Sequence, residues 1–470
     1  MIPENLKYRN ITTNSRDVKK GDLFVAVKGN NFDGHDFIDE AFKKGAIKAV
    51  VENEKFKSKN VIVVKDTRKT LSMIAAKFYD NPSKELNVIG ITGTNGKTTT
   101  SLLIDKIFSD AGFKTGLIGT IFYRIDRKKF SSDMTTPGAL RVNKFLRMMA
   151  DAGCAYAILE ISSHALEQER VKDVGLDVAI FTNLTREHLD YHRDLDGYFS
   201  AKTKIFNNLK KGGIAVLNVD DPRVATLKKK IKGKVLTYGY QSGADVRATG
   251  IIADINGSSF RVLTPAGRIR ISTKLIGCHN ISNILAAIST ALILNIDLED
   301  AANSIRLFKN APGRLEAVCM GQDFSVFVDY AHTDDALKNV VSALRKYSTN
   351  RLITVFGCGG DRDRTKRPRM GKIAARASDY TIITSDNPRS ENPLLIAKEI
   401  EKGIKAISSE YSIVLDRKQA INRALNMANK GDIVLVAGKG HEEVQIVGSK
   451  RSNFSDRETI MKLLKKRKSF

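Results

Sequence analysis

Residues 86–100 read Leu-Asn-Val-Ile-Gly-Ile-Thr-Gly-Thr-Asn-Gly-Lys-Thr-Thr-Thr, an apolar strand that breaks into a glycine-rich turn before a lysine and hydroxyl residues open a helix. This arrangement cradles phosphate. Gly93 and Gly96 admit backbone torsions and close approach denied to other residues, so successive N–H groups can converge on anionic oxygens at a helix N-terminus. Lys97 adds a mobile positive charge, and Thr98 a hydroxyl ligand for the Mg2+ that accompanies ATP. Thr94, Asn95 and Thr99 complete the expected ATP-binding loop. The spacing departs from the usual phosphate loop, which has a glycine six residues before the lysine; here Ile91 stands there, with glycines at 90 and 93.

At 470 residues the chain is too long for one ordinary core, and two or three domains are expected. No stretch of about eighteen uninterrupted apolar residues occurs, and Met1-Ile2-Pro3-Glu4 begins no secretory signal. A soluble, cytoplasmic protein without membrane insertion is therefore expected. Cys154, Cys278, Cys319 and Cys358 form no CxxC pair and read as reduced thiols, not as zinc ligands or disulfides. The formal charge of +25 admits nucleic acid, an anionic membrane or highly charged small substrates without choosing between them. Its basic residues are spread along the chain, and the dense tail Lys465-Lys466-Arg467-Lys468 lacks the interleaved aromatics of a single-strand-binding platform. No nucleic-acid partner is expected.

An α/β pattern runs throughout. Strand-like stretches at 22–27, 49–51 and 61–64 alternate with helical ones at 36–44 and 70–79, and Asn81-Pro82 reads as a linker. A second α/β region at 88–310 has strands near 88–92, 116–119, 156–160, 178–183 and 214–218, with a β-rich insertion at about 235–276. From Ala311-Pro312-Gly313, apolar strands at 352–356, 380–384 and 433–436 suggest a mostly parallel sheet covered on both faces. Polar loops follow these strands at 357–361, 385–389 and 437–442, the edge at which open parallel sheets bind ligands.

Ala157-Ile-Leu-Glu-Ile-Ser-Ser-His164 is an apolar strand ending in an acid, so Glu160 is a Walker-B-like candidate for Mg2+, the alternative being a solvated strand-end carboxylate. His188, in Thr182-Asn-Leu-Thr-Arg-Glu-His-Leu-Asp190, is a second candidate ligand or a structural histidine.

The motifs carry more together than singly. Gly-Thr-Asn-Gly-Lys-Thr-Thr at 93–99, Glu-Ile-Ser-Ser-His-Ala-Leu at 160–166, Asn-Leu-Thr-Arg-Glu-His-Leu-Asp at 183–190, His-Asn-Ile-Ser-Asn at 279–283, Pro-Gly-Arg-Leu-Glu at 312–316 and Asp-Tyr-Ala-His at 329–332 occur in one order. The series closely resembles the Mur ligases, ATP-dependent enzymes that extend the peptide of the peptidoglycan precursor. Thr135-Thr-Pro137, Ser162-Ser-His-Ala-Leu166 and Gly-Lys-Gly-His-Glu at 438–442 resemble the branch that adds the third residue.

The resemblance implies three domains: 1–86 for the uridine nucleotide sugar, 87–311 as the central ATPase and 312–470 as a dinucleotide-fold domain for the incoming amino acid. It implies that a D-glutamate carboxylate of UDP-N-acetylmuramoyl-L-alanyl-D-glutamate attacks the ATP γ-phosphate, and that the amine of the amino acid displaces the resulting acyl phosphate. Two Mg2+ ions are expected, Thr98 and Glu160 serving one and His188 the other. Lys202 matches the family's carbamylated lysine, whose CO2-derived carbamate bridges to the second Mg2+; Lys204 is the nearby competitor. Asn280, Arg314 and Asp329 resemble nucleotide contacts. Ser15, Asn30, Asn31 and Phe32, with Thr135, Thr136, Ser162, Gln168 and Arg170, match contacts to the UDP-linked dipeptide.

Asp386-Asn387-Pro388-Arg389 is the tetrad associated with ligases for meso-diaminopimelate. That amino acid differs from lysine by a second carboxylate, which a guanidinium can bind bidentately while repelling an ammonium. Arg367, Gly438 and Glu442 complete the matched pocket, and Asn392-Pro393 is expected to cap the next helix. Asp334 replaces the proline that relatives commonly carry after the threonine at 333, freeing a torsion and adding a negative charge. A monomer is expected. A lysine-adding ligase, a ligase for the following dipeptide step, a folylpolyglutamate synthetase and a nucleic-acid-stimulated ATPase are the rival readings.

Overall fold

Stretches such as Val88–Ile91 and Ile433–Ala437, in which every residue is buried, can only lie where both faces of a sheet are covered. The computed structural model describes residues 7–29, 32–408 and 410–468 and is of the α/β class. In chain order its strands are β1 (Ile11–Thr12), β2 (Leu23–Val25), β3 (Lys48–Val51), β4 (Val61–Val63), β5 (Asn87–Thr92), β6 (Thr115–Ile118), β7 (Phe122–Ile125), β8 (Lys128–Ser131), β9 (Tyr156–Glu160), β10 (Leu176–Phe181), β11 (Leu209–Asn218) and β12 (Lys234–Gly239). They continue with β13 (Val246–Asp254), β14 (Gly257–Thr264), β15 (Gly267–Thr273), β16 (Glu316–Ala317), β17 (Ser325–Asp329), β18 (Leu352–Phe356), β19 (Tyr380–Ile383), β20 (Tyr411–Ile413), β21 (Ile433–Ala437), β22 (Val444–Val447) and β23 (Lys450–Asn453). Two compact units are built from them.

The first unit takes the chain to Thr92 together with Phe113–Ala179 and Ala201–Ile214. It holds a parallel sheet in the order β1-β2-β3-β4. One face buries Val18, Phe24, Ile38, Ala49 and Val51; the other buries Leu23, Val25, Val50 and Ile74, with Leu140 packed against them. The same unit holds strands in the order β10-β5-β9-β6-β7-β8, parallel between β5, β9 and β6 and antiparallel from β6 to β8.

The second unit takes Gly93–Gly112, Ile180–Ser200 and the chain from Ala215. Its antiparallel β13-β14-β15 ribbon is joined in parallel by β12 and forms the β-rich segment expected at 235–276. A six-stranded sheet, β16-β17-β21-β18-β19-β20, is parallel except for the edge strand β16. Helices Asp334–Tyr347, Lys366–Ala377 and Pro393–Lys405 cover one face through Leu337, Val341, Met370, Ala374, Ile396 and Ile400. Arg417–Met427 and Asp456–Lys468 cover the other through Ile421, Leu425, Ile460 and Leu464. The loops after β18, β19 and β21 therefore emerge at one carboxyl edge. Asn392 caps the helix Pro393–Lys405 by accepting from Leu394 N at 2.9 Å, as its sequence suggests.

The hairpin β7-β8 was not expected, because Lys128-Lys-Phe-Ser131 is mostly exposed and shows no apolar run. Strand β11 starts at Leu209, ahead of the expected 214. Gly212 lies within it at φ +88, a torsion open to glycine.

One ionic contact fastens two of the three edge loops. Arg417 and Asp456 are both fully buried and share two charge-assisted hydrogen bonds of 2.7 Å. The same guanidinium donates to Ala437 O at 2.9 Å and Ser385 O at 3.3 Å, so it braces the start of the loop after β21 and that after β19. Removing its carboxylate strands a buried cation. Asp456→Ala should therefore cost about 3–5 kcal/mol of stability, read as a lowered denaturant midpoint, and Asp456→Asn less; an unchanged midpoint would show that the pair is not structural.

Candidate active site

The phosphate loop is held open by side chains that occupy the space a β-carbon would need. At Gly93 (φ +145) a Cβ would overlap Thr182 Oγ1, and at Gly96 (φ +87) it would overlap Asn283 Oδ1. Neither position tolerates a side chain. Thr94 N donates to Asn183 O at 2.9 Å, and Asn95 N to Asn183 Oδ1 at 2.9 Å. Asn95 O in turn accepts from Thr182 Oγ1 at 2.6 Å and Asn183 Nδ2 at 3.1 Å. Thr94 and Asn95 thus brace the loop with their amides instead of offering them to phosphate. Lys97 Nζ lies across the loop, donating to Gly93 O at 2.7 Å and Thr94 O at 2.8 Å. Thr98 and Thr99 are buried in the first turn of helix Lys97–Asp110.

The residues expected at the nucleotide junction converge on this helix. Asn280 donates to Ile276 O and accepts from Asn283 Nδ2 at 3.2 Å, and Asn283 Oδ1 lies 3.4 Å from Thr100 Oγ1. Arg314 Nη2 reaches Thr98 Oγ1 at 3.4 Å while its guanidinium stacks over Tyr330 at 4.5 Å. Asp329 accepts from Leu315 N at 2.6 Å and Ala331 N at 2.7 Å. Burial pushes its carboxyl up to about 6, against the pull of Arg314 and those two amides. Asn95 Nδ2 also donates to Asp335 Oδ2 at 2.9 Å. Asn283 closes the 279–283 motif without having been expected at the phosphate loop, and Asp335 was not expected there either, since nothing in either segment shows which distant loop it will meet.

Asp334, in place of the proline, opens the helix Asp334–Tyr347 behind the cap Thr333 and pairs with Arg369 at 2.9 Å. Proline and an acid are both favourable in a first helical turn, the one by its fixed φ and the other by the helix dipole.

In the first unit, six of the expected residues form one network. Glu160, 1% exposed, accepts from Thr120 N at 3.1 Å and Thr120 Oγ1 at 2.8 Å, and Thr120 Oγ1 is 3.1 Å from Thr135 Oγ1. Thr136 Oγ1 donates to Glu160 O and accepts from Ser162 N, while Arg170 bridges Thr136 O at 2.7 Å and Gln168 Oε1 at 2.7 Å. Glu160 is therefore a buried, oriented carboxylate and not a solvated strand end. Thr120 was missed, lying in a strand connection without a motif. Lys202 is buried on the helix Leu195–Thr203, whereas Lys204 forms a surface pair with Glu167 at 2.7 Å, which sets the two lysines apart.

In the second unit His188 takes φ +54 and sits 3.8 Å from Glu187, which Tyr198 OH also meets at 3.2 Å. Among the described residues no group of three or more His, Cys, Asp or Glu side chains is arranged to hold a metal. Mg2+ taken with phosphate oxygens, water and a hydroxyl does not require one. Ser15 is buried and donates to Glu40 Oε2 at 2.7 Å; Phe32 is exposed; Asn30 and Asn31 lie outside the described residues.

At the carboxyl edge of the six-stranded sheet the tetrad forms a tight turn. Asp386 Oδ1 accepts from Asn387 N at 2.6 Å, and its buried Oδ2 has no partner among the described residues. Gly438 (φ +115) brings its backbone so close to this carboxylate that a Cβ would stand 2.6 Å from Oδ2. Arg389, itself at φ +51, donates Nη1 to Gly360 O at 2.7 Å, and Asn387 Nδ2 donates to Glu442 Oε2 at 2.8 Å.

Arg367 differs from its expected role. It is fully buried, its guanidinium meeting Glu391 in two bonds of 2.8 and 2.9 Å and Glu399 at 2.8 Å. With its charge matched twice, it anchors the turn and has little left for a ligand carboxylate. Arg362 is exposed on the same loop without a hydrogen bond or ion pair among the described residues, and its Cγ approaches Gly359 beside Arg389 Nη1. It is the available guanidinium, hidden in the sequence among the neighbouring arginines of Asp361-Arg-Asp-Arg364.

Two outcomes follow from this geometry. Gly96→Ala should weaken ATP binding at least about tenfold in a titration, since the loop must move to clear Asn283; unchanged affinity would mean that the loop has slack. The Arg367 guanidinium holds the Glu391 carboxyl down at about 2, from an ordinary 4.5. This stabilisation is complete above pH 4.5 and is lost as the pH falls towards 2, so Glu391→Gln should flatten the acid limb of the stability curve over that window.

The same scaffold is found in known proteins. Three family models match: the Mur ligase family catalytic domain at 7–79, the Mur ligase middle domain at 91–291 and the Mur ligase glutamate ligase domain at 313–440. The UDP-N-acetylmuramoyl-L-alanyl-D-glutamate--2,6-diaminopimelate ligase of Bacillus licheniformis is 43% identical over 97% of this chain and 94% of its own length. The ligase of the same name from Aquifex aeolicus is 43% identical over 97% and 94%. A solved structure of a ligase of that name superposes with a TM-score of 0.70 at 32% identity, covering 98% of this chain and 95% of the other. Folylpolyglutamate synthase of Mycobacterium tuberculosis shares the fold at 17% identity over 78% of this chain and 92% of that one, with a TM-score of 0.65. With relatives of this identity spanning nearly its whole length and the motif side chains gathered as described, the chain belongs to the Mur ligase family.

Proposed function

We propose that this protein joins meso-diaminopimelate to the D-glutamate of UDP-N-acetylmuramoyl-L-alanyl-D-glutamate at the expense of ATP, in peptidoglycan precursor synthesis. The observation that carries the reading is Arg314, from the part of the chain that bears the Asp386–Arg389 turn, reaching the phosphate-loop hydroxyl of Thr98 within one compact unit. An amine can be delivered to an activated carboxylate only if its carrier comes up to the phosphate loop.

In this reading residues 1–86 bind the uridine nucleotide through Ser15 and the 30–32 segment, 87–311 bind ATP, and 312–470 bind the amino acid. The precursor carboxylate attacks the γ-phosphorus and ADP leaves; the amine then attacks the acyl carbon and phosphate leaves. Lys97 and the N-terminus of the helix Lys97–Asp110 draw negative charge from the transferring phosphoryl group, and Arg314 extends that positive field. Thr135, Thr136, Ser162, Gln168 and Arg170 supply hydroxyl, amide and guanidinium partners for the sugar dipeptide. Asn280 and Asp329 hold the nucleotide end.

Thr98, Glu160, His188 and Lys202 as its carbamate are the assigned Mg2+ ligands, and the oriented Glu160 carboxylate and Thr98 hydroxyl are hard oxygen donors suited to that ion. Bound Mg2+ supplies charge neutralisation on the phosphate oxygens. Arg389 and Arg362 would take the second carboxylate of diaminopimelate, and Glu442 an ammonium. We place the reaction in the cytoplasm and in a monomer; no described helix is long and apolar enough to cross a membrane.

The test is phosphate release with each substrate omitted in turn and with meso-diaminopimelate, L-lysine or amidated diaminopimelate as the acceptor. Release should require the UDP-linked dipeptide and an amino acid together and should favour diaminopimelate. Preference for lysine would overturn the specificity, and release stimulated by nucleic acid alone would overturn the ligase. Arg389→Ala should reduce diaminopimelate use at least about a hundredfold with ATP affinity near normal, as expected for losing a bidentate charged pair; equal losses of both would show that its role is elsewhere.

A further inference from the structure

The three loops at the carboxyl edge contain one buried cation to which no role has been given. Lys439 is fully buried, and its ammonium makes three contacts: Asn387 Oδ1 at 3.1 Å, Glu442 Oε2 at 3.0 Å and Val444 O at 2.8 Å. Its three donors are thus all used. A carboxylate and two oxygen dipoles thus surround the buried ammonium.

We infer that Lys439 is a positioning residue that sets the amino-acid end of the site, an inference that rests on the diaminopimelate ligase reading above. Asn387 Oδ1 faces two donors, Lys439 Nζ and Ile446 N at 3.0 Å, which fixes its amide with the NH2 group turned to Glu442. Glu442 Oε2 is occupied by both Asn387 and Lys439, so Oε1 is the oxygen left for a ligand. One ammonium therefore dictates the rotamers of two side chains on two different loops, and through Asn387 it fixes the residues that lead to Arg389. The backbone continues the tie, with Arg389 N donating to Ile446 O at 3.1 Å and Gly448 N to Arg389 O at 2.7 Å.

Charge is balanced by the same contact. With Lys439 present, the carboxylate of Glu442 is compensated, and the guanidinium groups of Arg389 and Arg362 remain for a ligand carboxylate. Without it, Glu442 becomes an unmatched anion beside the turn, which repels an incoming carboxylate and suits a purely cationic side chain.

Steady-state kinetics of Lys439→Met and Lys439→Gln in the full-length enzyme test this, with meso-diaminopimelate and L-lysine as competing acceptors. Expected are a KM for diaminopimelate raised about tenfold or more, a narrowed preference over lysine, and KM values for ATP and the UDP-linked dipeptide within about twofold of the unsubstituted enzyme. A residue that served folding alone would lower the active fraction and leave every KM unchanged, and that result overturns the inference. So does a parallel rise in all three KM values. If the methionine variant does not fold, the glutamine variant, which keeps a donor but no charge, decides on the same criteria. Failure of the unsubstituted enzyme to use diaminopimelate would overturn the functional reading and this inference with it; normal use accompanied by unaltered kinetics in the variants would overturn the inference alone.

Discussion

The absence of two β-carbons underlies this molecule. At Gly93 and Gly96 the backbone runs so close to Thr182 and Asn283 that any side chain would collide with them, and those contacts give the phosphate loop its shape. The side chains that touch the glycines also tie the loop to its surroundings. Thr182 and Asn183 hold Asn95, Asn283 links to Asn280, and Asn95 in turn holds Asp335 at the start of a helix in the C-terminal part of the chain. A shift of the loop would be transmitted along all of these contacts at once. The same geometry accounts for the unusual glycine spacing, since a loop braced by its own amides has different steric needs from one that turns every amide to a ligand.

A second device recurs at the carboxyl edge of the six-stranded sheet, where buried cations hold the loops. Arg417 with Asp456, Arg367 with Glu391 and Glu399, and Lys439 with Glu442 and Asn387 each join elements far apart in sequence. Buried ion pairs are a weak source of net stability, because desolvation offsets most of the attraction. They are strongly directional, however, and an edge that must tell one carboxylate from none needs fixed donors more than it needs free energy. Each of these buried cations meets a carboxylate, while Arg389 is half-buried and Arg362 exposed.

The legible parts of the sequence were those with dense local patterns. Largely apolar runs marked β5, β9, β18 and β21, and glycine and hydroxyl spacing marked the phosphate loop, because each follows from a single segment's own steric and burial needs. Residues whose role depends on distant partners were not legible. Arg367 and Arg362 are both arginines five residues apart; only the fold shows that the first lies between two glutamates and the second is exposed. Lys202 and Lys204 differ in the same way, one buried and one in a surface pair. Thr120 carries no motif, and it gains meaning only from the Glu160 carboxylate that folding places beside it; the contacts of Asn283 with Thr100 and of Asp335 with Asn95 likewise join residues far apart in sequence.

The central claim is that the precursor carboxylate itself attacks the γ-phosphate, so that the loop at 93–99 serves acyl activation and not plain hydrolysis. Isotope transfer tests it most directly: the D-glutamate carboxylate of the UDP-linked dipeptide is labelled with oxygen-18, and the phosphate released during ligation to meso-diaminopimelate is examined by mass spectrometry. The account predicts one labelled oxygen in each phosphate, carried over from the acyl phosphate when the amine displaces it. Phosphate free of label, with the ligated product still formed, would contradict it.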